Sequence, residues 1–121
     1  MKTLSVGIMS RIDYQKRTIA IAKGEYTPKK DEPKVWFESV KSMAQVLSNE
    51  NQNLLKTILD KNPKSLTELE SYTGRKKSNL SRTLKMLERY GIVTLEKEKN
   101  SVVPKVQATD FKVAFGLGMA A

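Results

Sequence analysis

The sequence has no cysteine and no histidine among its 121 residues. The lack of cysteine excludes disulfides and thiolate chemistry, and the lack of histidine excludes imidazole acid/base catalysis. Together these absences remove the usual zinc ligands, so any metal would have to be held by carboxylates. Serine, lysine and carboxylate residues form no paired arrangement at a catalytic spacing. We therefore expect neither an enzyme nor a cofactor.

Long apolar runs are also missing. No stretch approaches the length of a membrane-spanning helix, and the apolar residues 4–9 are too short and too interrupted for a signal peptide. We therefore expect a cytoplasmic protein without a membrane partner. A chain of this length supports one hydrophobic core and is too short for two.

Negative charge is scarce. Thirteen acidic residues stand against 22 basic ones, which gives a net charge of +9. This balance favours a polyanionic partner, either nucleic acid or an anionic membrane surface. The membrane is the weaker alternative, because the most basic helix predicted below carries leucines only on a narrow stripe suited to a core.

Residues 65–93 predict two helices joined by a tight turn. Ser65 is a good N-cap and Glu68 occupies the acidic position of a capping box, so the first helix should run to about Tyr72. The turn contains Gly74. A second helix should begin near Lys76, because Leu80, Leu84 and Leu87 then recur along one stripe.

The end of the second helix is also marked. Gly91 is suited to the left-handed position after a helix, where Ile92 would contact Leu87. An earlier helix, from Ser48 to about residue 62, carries Leu54, Leu55, Ile58 and Leu59. We expect leucines from all three helices to meet in one core cluster.

The second helix is basic on the side away from its leucines. Six basic residues and one acid lie between Arg75 and Arg89. A short helix, a glycine turn and a basic helix are typical of a helix-turn-helix, whose second helix enters the DNA major groove. The residues predicted to meet DNA are Arg75, Lys76, Lys77, Ser78, Asn79, Ser81, Arg82 and Lys85.

Different roles are expected within this set. Arg82 is suited to guanine O6/N7 and Asn79 to adenine N6/N7, whereas the lysines are suited to phosphates. The alternative is a solvated face on an ordinary helical bundle. The order of cap, turn, leucine stripe, basic face and stop favours nucleic-acid binding.

Residues 93–106 predict a β-hairpin behind the basic helix, with a turn at residues 97–100. A hairpin in this position is the wing of a winged helix-turn-helix. Lys97, Lys99 and Asn100 at its tip are predicted to reach flanking phosphates or the minor groove. Glu96 and Glu98 keep open the alternative of a polar, solubilising turn.

The remaining segments complete the predicted fold. The patterns predict a strand at residues 2–8, a helix from 10 to about 23, a flexible polar link at 25–33, a short strand at 34–37, a brief helix at 38–47, a third strand at 110–117 and a frayed end at 118–121. The third strand should join the hairpin's sheet or a subunit contact. The N-terminal helix has a sparse apolar face, suited to a lid over the core, a second copy or a partner.

We therefore predict an α+β fold, mainly α: a winged helix-turn-helix with an N-terminal strand-helix extension. Residues 1–33 would form the extension, which contacts a dimer mate or a partner, and residues 34–121 the DNA-binding domain.

The phrases SLTELESYTG and KKSNLSRTLKMLERYGIV, followed by a hairpin, resemble winged helix-turn-helix regulators of the multiple-antibiotic-resistance type. The whole layout, including VWFESVKSMAQVLS and VVPKV, is similar to small predicted DNA-binding proteins that act as antitoxins beside a toxin gene. The resemblance implies a dimeric, operator-binding repressor that also sequesters a toxin protein.

Two functions are therefore expected. The first is a sequence-specific, double-stranded DNA-binding repressor that acts as a homodimer and, by the resemblance, as an antitoxin regulating its own operon. The second is a winged-helix module that docks on protein and has only non-specific affinity for nucleic acid.

Overall fold

A computed structural model describes residues 2–117 and contains five helices and five strands within that range. In chain order the elements are β1 (Lys2–Ile8), α1 (Arg11–Ala22), β2 (Val35–Phe37), α2 (Val40–Val46), α3 (Asn49–Lys61), α4 (Leu66–Thr73), α5 (Lys77–Arg89), β3 (Val93–Glu98), β4 (Ser101–Val106) and β5 (Ala108–Ala114). The predicted α+β class is confirmed. The frayed end predicted at residues 118–121 lies outside the described residues. No helix within residues 2–117 is both long and apolar enough to cross a bilayer.

The core forms where α3, α4 and α5 meet, as predicted. Its helical members are Leu54, Leu55, Ile58, Leu69, Leu80, Leu84 and Leu87, each at most 7% exposed. The prediction for Leu59 was wrong, because this side chain is 38% exposed. It lies about 100° from Ile58 and about 40° beyond Leu55, on the solvent side of the inward stripe of α3.

The strands form two separate sheets. β3 and β4 pair antiparallel as the predicted hairpin, whereas β2, β1 and β5 form a parallel sheet in that order. The predicted third strand is confirmed, but it does not join the hairpin's sheet, which was the first of its two predicted placements. The second, a subunit contact, stays a prediction. The β1–β5 register sets Leu4 beside Phe111 and Val6 beside Val113, so apolar residues share one face. β5 ends at Ala114 rather than residue 117, because Ala114 already pairs with Gly7 near the end of β1.

The parallel sheet combines strands from both sides of the boundary predicted at residue 33. Its inner face packs on the helical core through Val6 and Phe37, which are almost fully buried. The ring of Phe37 also stacks on Tyr90, at the end of α5, with the ring centroids 4.6 Å apart. β1 and β2 are therefore integral to the core that supports α5.

Helix α1 lies over the outer face of this sheet and has no buried residue. Its Arg17 guanidinium lies 5.2 Å from the Trp36 ring and 5.9 Å from the Tyr26 ring, and it forms an ion pair with Glu32 at 3.4 Å. Glu32 also accepts hydrogen bonds from the Tyr26 hydroxyl and from the Lys29 N–H. The polar link predicted to be flexible is thus fastened to α1 at Glu32.

These contacts shift two pKa values. The hydrogen bond from Tyr26, followed by the Lys29 N–H and the charge of Arg17, holds the pKa of Glu32 below that of an ordinary glutamate. The same hydrogen bond raises the pKa of Tyr26. A lowered carboxyl pKa contributes stability above the pKa of the unfolded chain, and that contribution is lost as pH falls through the folded pKa.

Acidification should therefore release α1 from Trp36, the only tryptophan. We expect Trp36 fluorescence to change with a midpoint below the ordinary glutamate pKa of 4.5. The variant Glu32→Gln should already show the acid-type emission at neutral pH. Glu25→Gln, at an exposed acid of the same segment, should keep the transition. An unchanged transition in Glu32→Gln would assign it to another group.

Gly7 leaves room for the Trp36 ring to pack against β1. A Cβ atom built on Gly7 would lie 2.5 Å from Trp36 Cζ3 and 2.9 Å from Pro33 Cγ, so no side chain fits. The ring packs directly over the backbone of β1, where the register pairs Gly7 with Trp36.

The variant Gly7→Ala should lower the free energy of unfolding in urea by about 1–3 kcal/mol, because the ring and the strand must move apart. The matched control is Gly116→Ala, where a Cβ would meet no atom within 4 Å and we expect a change within about 0.5 kcal/mol. Equal effects of the two variants would mean that Trp36 does not depend on this contact.

Candidate nucleic-acid interface

Helix α4 and the turn after it set where α5 begins. The Ser65 hydroxyl accepts a hydrogen bond from the Glu68 N–H at 3.1 Å, which confirms the predicted cap. The Glu68 carboxylate reaches back to the Lys64 N–H at 3.2 Å. Gly74 then ends α4 with φ 75°, a left-handed conformation that glycine adopts without a Cβ penalty.

The N-terminus of α5 is capped from another helix. Its N-cap residue, Lys76, makes no side-chain capping bond. Instead, the carboxylate of Glu70 in α4 accepts a hydrogen bond from the Lys77 N–H at 3.1 Å. A carboxylate at a helix N-terminus is stabilising, because the unpaired N–H groups there carry partial positive charge. This role of Glu70, which lies seven residues before Lys77, was not predicted from the sequence.

The C-terminal end of α5 is as predicted. Gly91 has φ 75°, and the Ile92 N–H donates to the Leu87 carbonyl at 3.0 Å. Leu80, Leu84 and Leu87 are fully buried. Because this stripe faces the core, the opposite face of α5 is turned to solvent.

Most of the predicted DNA-contacting residues lie on that face or at the N-terminal end of α5. The exposed members are Lys76, Lys77, Ser78, Asn79, Arg82 and Lys85, while Arg75 and Ser81 are half-buried. Within residues 2–117, the ion pairs are Arg11–Glu38, Arg17–Glu32 and Lys61–Asp60, so none uses a cation of α5. The positive charge of this helix is therefore not neutralised by pairing in the described part of the chain.

Arg75 and Asn79 are engaged with each other. The Arg75 guanidinium donates to Asn79 Oδ1 from Nε at 2.9 Å and from Nη2 at 2.7 Å, and also to the Thr83 hydroxyl at 3.0 Å. Its Nη1 atom is buried, without a hydrogen-bond partner among the described residues. The three side chains, spaced four residues apart, form a ladder that runs from the turn before α5 onto the helix, and we call it the Arg75 ladder.

The Arg75 ladder changes what Asn79 can do. Reading adenine requires the Asn79 amide to donate and its carbonyl to accept, but that carbonyl already accepts twice from Arg75. The ladder orients both side chains along the helix surface. Thr83 was not predicted, although its spacing from Arg75 and Asn79 was a visible signal.

Two clefts flank the basic face, and most of the predicted α5 residues line one or the other. A groove of about 770 Å³ lies between α3 and the N-terminal half of α5, and Glu50 and Thr57 contribute from α3. The predicted residues lining it are Arg75, Lys76, Ser78, Asn79 and Arg82. A smaller cleft of about 290 Å³ lies between α5 and the hairpin, and the predicted residues lining it are Ser81, Lys85 and Lys97, beside Glu88.

The hairpin tip differs from its prediction. Glu98 pairs with Ser101, so the turn consists only of Lys99 and Asn100, and Lys97 lies within β3. β3 extends further than predicted because its backbone pairing with β4 continues up to a two-residue turn, the shortest common hairpin turn. Lys99 in this turn has φ 56°. Lys97, Lys99 and Asn100 are all exposed. Lys97 faces the cleft beside α5, whereas Lys99 and Asn100 line neither cleft.

The family model HVO_A0114 matches residues 46–113, which is more than half of the chain. The chain belongs to the HVO_A0114 family. The matched segment begins at the last residue of α2 and ends within β5, so it includes α3, α4, α5 and the hairpin. A search of curated proteins finds no match.

The Arg75 ladder predicts a stability effect at an exposed position of this HVO_A0114 member. Asn79→Ala removes the acceptor of two guanidinium hydrogen bonds, and we expect a loss of about 1 kcal/mol in the free energy of unfolding. Ser78→Ala is the control, because it gives a similar gain in helix propensity and Ser78 makes no side-chain hydrogen bond among the described residues. If Asn79→Ala is as stable as Ser78→Ala in thermal unfolding, the ladder contributes nothing to stability.

Proposed function

We propose that this protein is a sequence-specific, double-stranded DNA-binding transcriptional regulator and not an enzyme. In this proposal α4, the turn and α5 act as a helix-turn-helix, and the β3–β4 hairpin acts as its wing. The observation that carries the proposal is the exposed basic face of α5, whose cations lack ion-pair partners in the described residues. Such a surface attracts the phosphate backbone and releases its counterions.

The position of each side chain suggests a division of roles. Arg82 is exposed near the middle of α5, where a guanidinium is suited to guanine O6 and N7 in the major groove. Lys76 and Lys77 begin the helix and are suited to phosphates, which give affinity without sequence information. The cleft shared by Lys85 and Lys97 supports the proposal that helix and hairpin bind the same stretch of duplex.

We further propose that the regulator is a homodimeric repressor. A two-fold axis would place two copies of α5 about one DNA turn apart, roughly 34 Å, on an inverted repeat. Because the resemblance implies an antitoxin, we also propose that the protein binds a toxin as a second partner.

A second candidate is a module that docks on protein. It is favoured by α1, where Ile12 is 64% exposed and Ile19 is 53% exposed. The two candidates differ in their response to salt. A docking module would show a shallow salt dependence and no sequence preference, whereas a regulator would prefer its own promoter and lose affinity steeply as salt rises.

The double variant Arg82→Ala with Lys85→Ala tests the proposed function. Fluorescence anisotropy would measure binding to the protein's own promoter and to a scrambled duplex across a salt series. We expect promoter binding to weaken by about 10- to 100-fold, because one base contact and one phosphate contact are lost. The slope of log K against log salt should become shallower by about 1 to 2.

The matched control is Lys16→Ala with Lys41→Ala, which removes the same charge from exposed positions on α1 and α2. It should leave the promoter preference and the salt slope nearly unchanged. If both double variants weaken binding equally, only the net charge matters. If the wild-type protein binds both duplexes equally and weakly, the protein is not a sequence-specific regulator.

A further inference from the structure

β5 forms an open edge of the parallel sheet. Within the described residues it pairs only with β1, so its other side presents unpaired backbone groups along a strand of seven residues. The opposite edge of the sheet, β2, has only three residues. β5 contains no proline to block the addition of another strand. An edge of this kind is a template for pairing with a further chain.

Apolar side chains extend to this edge. Phe111 packs partly against the core, and the alternation of the strand places Val113 on the same face. Val113 is nevertheless 45% exposed, and Phe115, just beyond the strand, is 59% exposed. A strand added at β5 would continue the sheet and cover this apolar surface.

The charges on β5 indicate which strand fits. Asp110 and Lys112 flank Phe111 and are both exposed on the other face of the sheet. Asp110 accepts one hydrogen bond, from the neighbouring Thr109 hydroxyl at 2.8 Å. If a second copy of β5 pairs antiparallel about Phe111, each Asp110 lies opposite Lys112 of the other copy. The two-fold axis thus makes the strand complementary to itself.

We propose that two copies of this chain pair antiparallel through β5, centred on Phe111, and form one six-stranded sheet. This inference rests on the homodimer of the proposed function and supplies its contact surface. The next antiparallel register, centred on Lys112, would set Phe111 opposite Val113 but place Lys112 opposite Lys112 of the other copy. The register centred on Val113 would set Phe115 opposite Phe111 but leave Lys112 opposite Ala114. Only the register centred on Phe111 pairs the two charges.

Charge exchange tests the pairing without DNA. Sedimentation velocity of the full chain should show a species of twice the 13.7 kDa chain mass. Asp110→Lys alone, or Lys112→Asp alone, places like charges opposite each other twice, and each should weaken the dimer by about tenfold or more. The double variant Asp110→Lys with Lys112→Asp should restore it.

Mixing the two single variants tests the charge pairing most directly. Equimolar Asp110→Lys and Lys112→Asp chains should form a heterodimer more readily than either chain forms a homodimer, because unlike charges then meet across the seam. Circular dichroism should show native folding for every variant, since both positions are exposed. A monomeric wild-type chain, or single variants that dimerise normally, would overturn the proposal, as would a double variant that fails to recover.

Failure of the β5 pairing can be distinguished from failure of the proposed function. A wild-type monomer that still prefers its promoter would overturn pairing through β5 and leave DNA recognition standing. A charge-dependent dimer that binds promoter and scrambled duplex equally would support the pairing and overturn the regulator.

Discussion

The burial of one leucine stripe on α5 is the constraint on which the rest of the structure depends. Leu80, Leu84 and Leu87 are fully buried where α3, α4 and the sheet meet. A helix has a single rotational setting once one of its faces is buried, so this packing also determines which side chains reach solvent. Arg82 and Lys85 are exposed because they lie on the side of α5 opposite the buried leucines. The same hydrophobic contacts therefore stabilise the fold and orient the basic face, and a substitution in the stripe would disturb both.

Sequence reasoning succeeded where the determining interactions are local. The N-cap of α4, the glycine that ends it, the leucine spacing of α5 and the Gly91 stop each depend on residues within one or two helical turns. It failed where partners are distant in the chain. Alternation identified β5 as a strand, but an alternating pattern does not encode which edge the strand will join. The decisive pairing, of Leu4 with Phe111, joins opposite ends of the chain.

The candidate site shows the same limit at the level of side chains. Ser78, Arg82 and Lys85 could be predicted as exposed, because helical period alone places them away from the core. The engagement of Asn79 with Arg75 could not, since the same residue types suit base recognition and a hydrogen bond between neighbouring side chains equally well. The three-dimensional structure decides between the two by bringing Arg75 within hydrogen-bonding distance of Asn79. In the same way it shows that the Trp36 ring packs against Gly7, which the sequence did not indicate. Such competition between equally plausible partners is settled only by three-dimensional packing.

The two proposed surfaces differ in how they use charge. On α5 the cations lack protein partners among the described residues, so their attraction for a polyanion is long-ranged and falls with salt. On β5, Asp110 and Lys112 balance each other, and exposed pairs of this kind contribute only about 0.2–1 kcal/mol each. The affinity of a β5 seam must therefore come from backbone hydrogen bonds and from covering Val113 and Phe115. The charges select the register and the partner, because every other alignment of the strand leaves at least one of them without its complement.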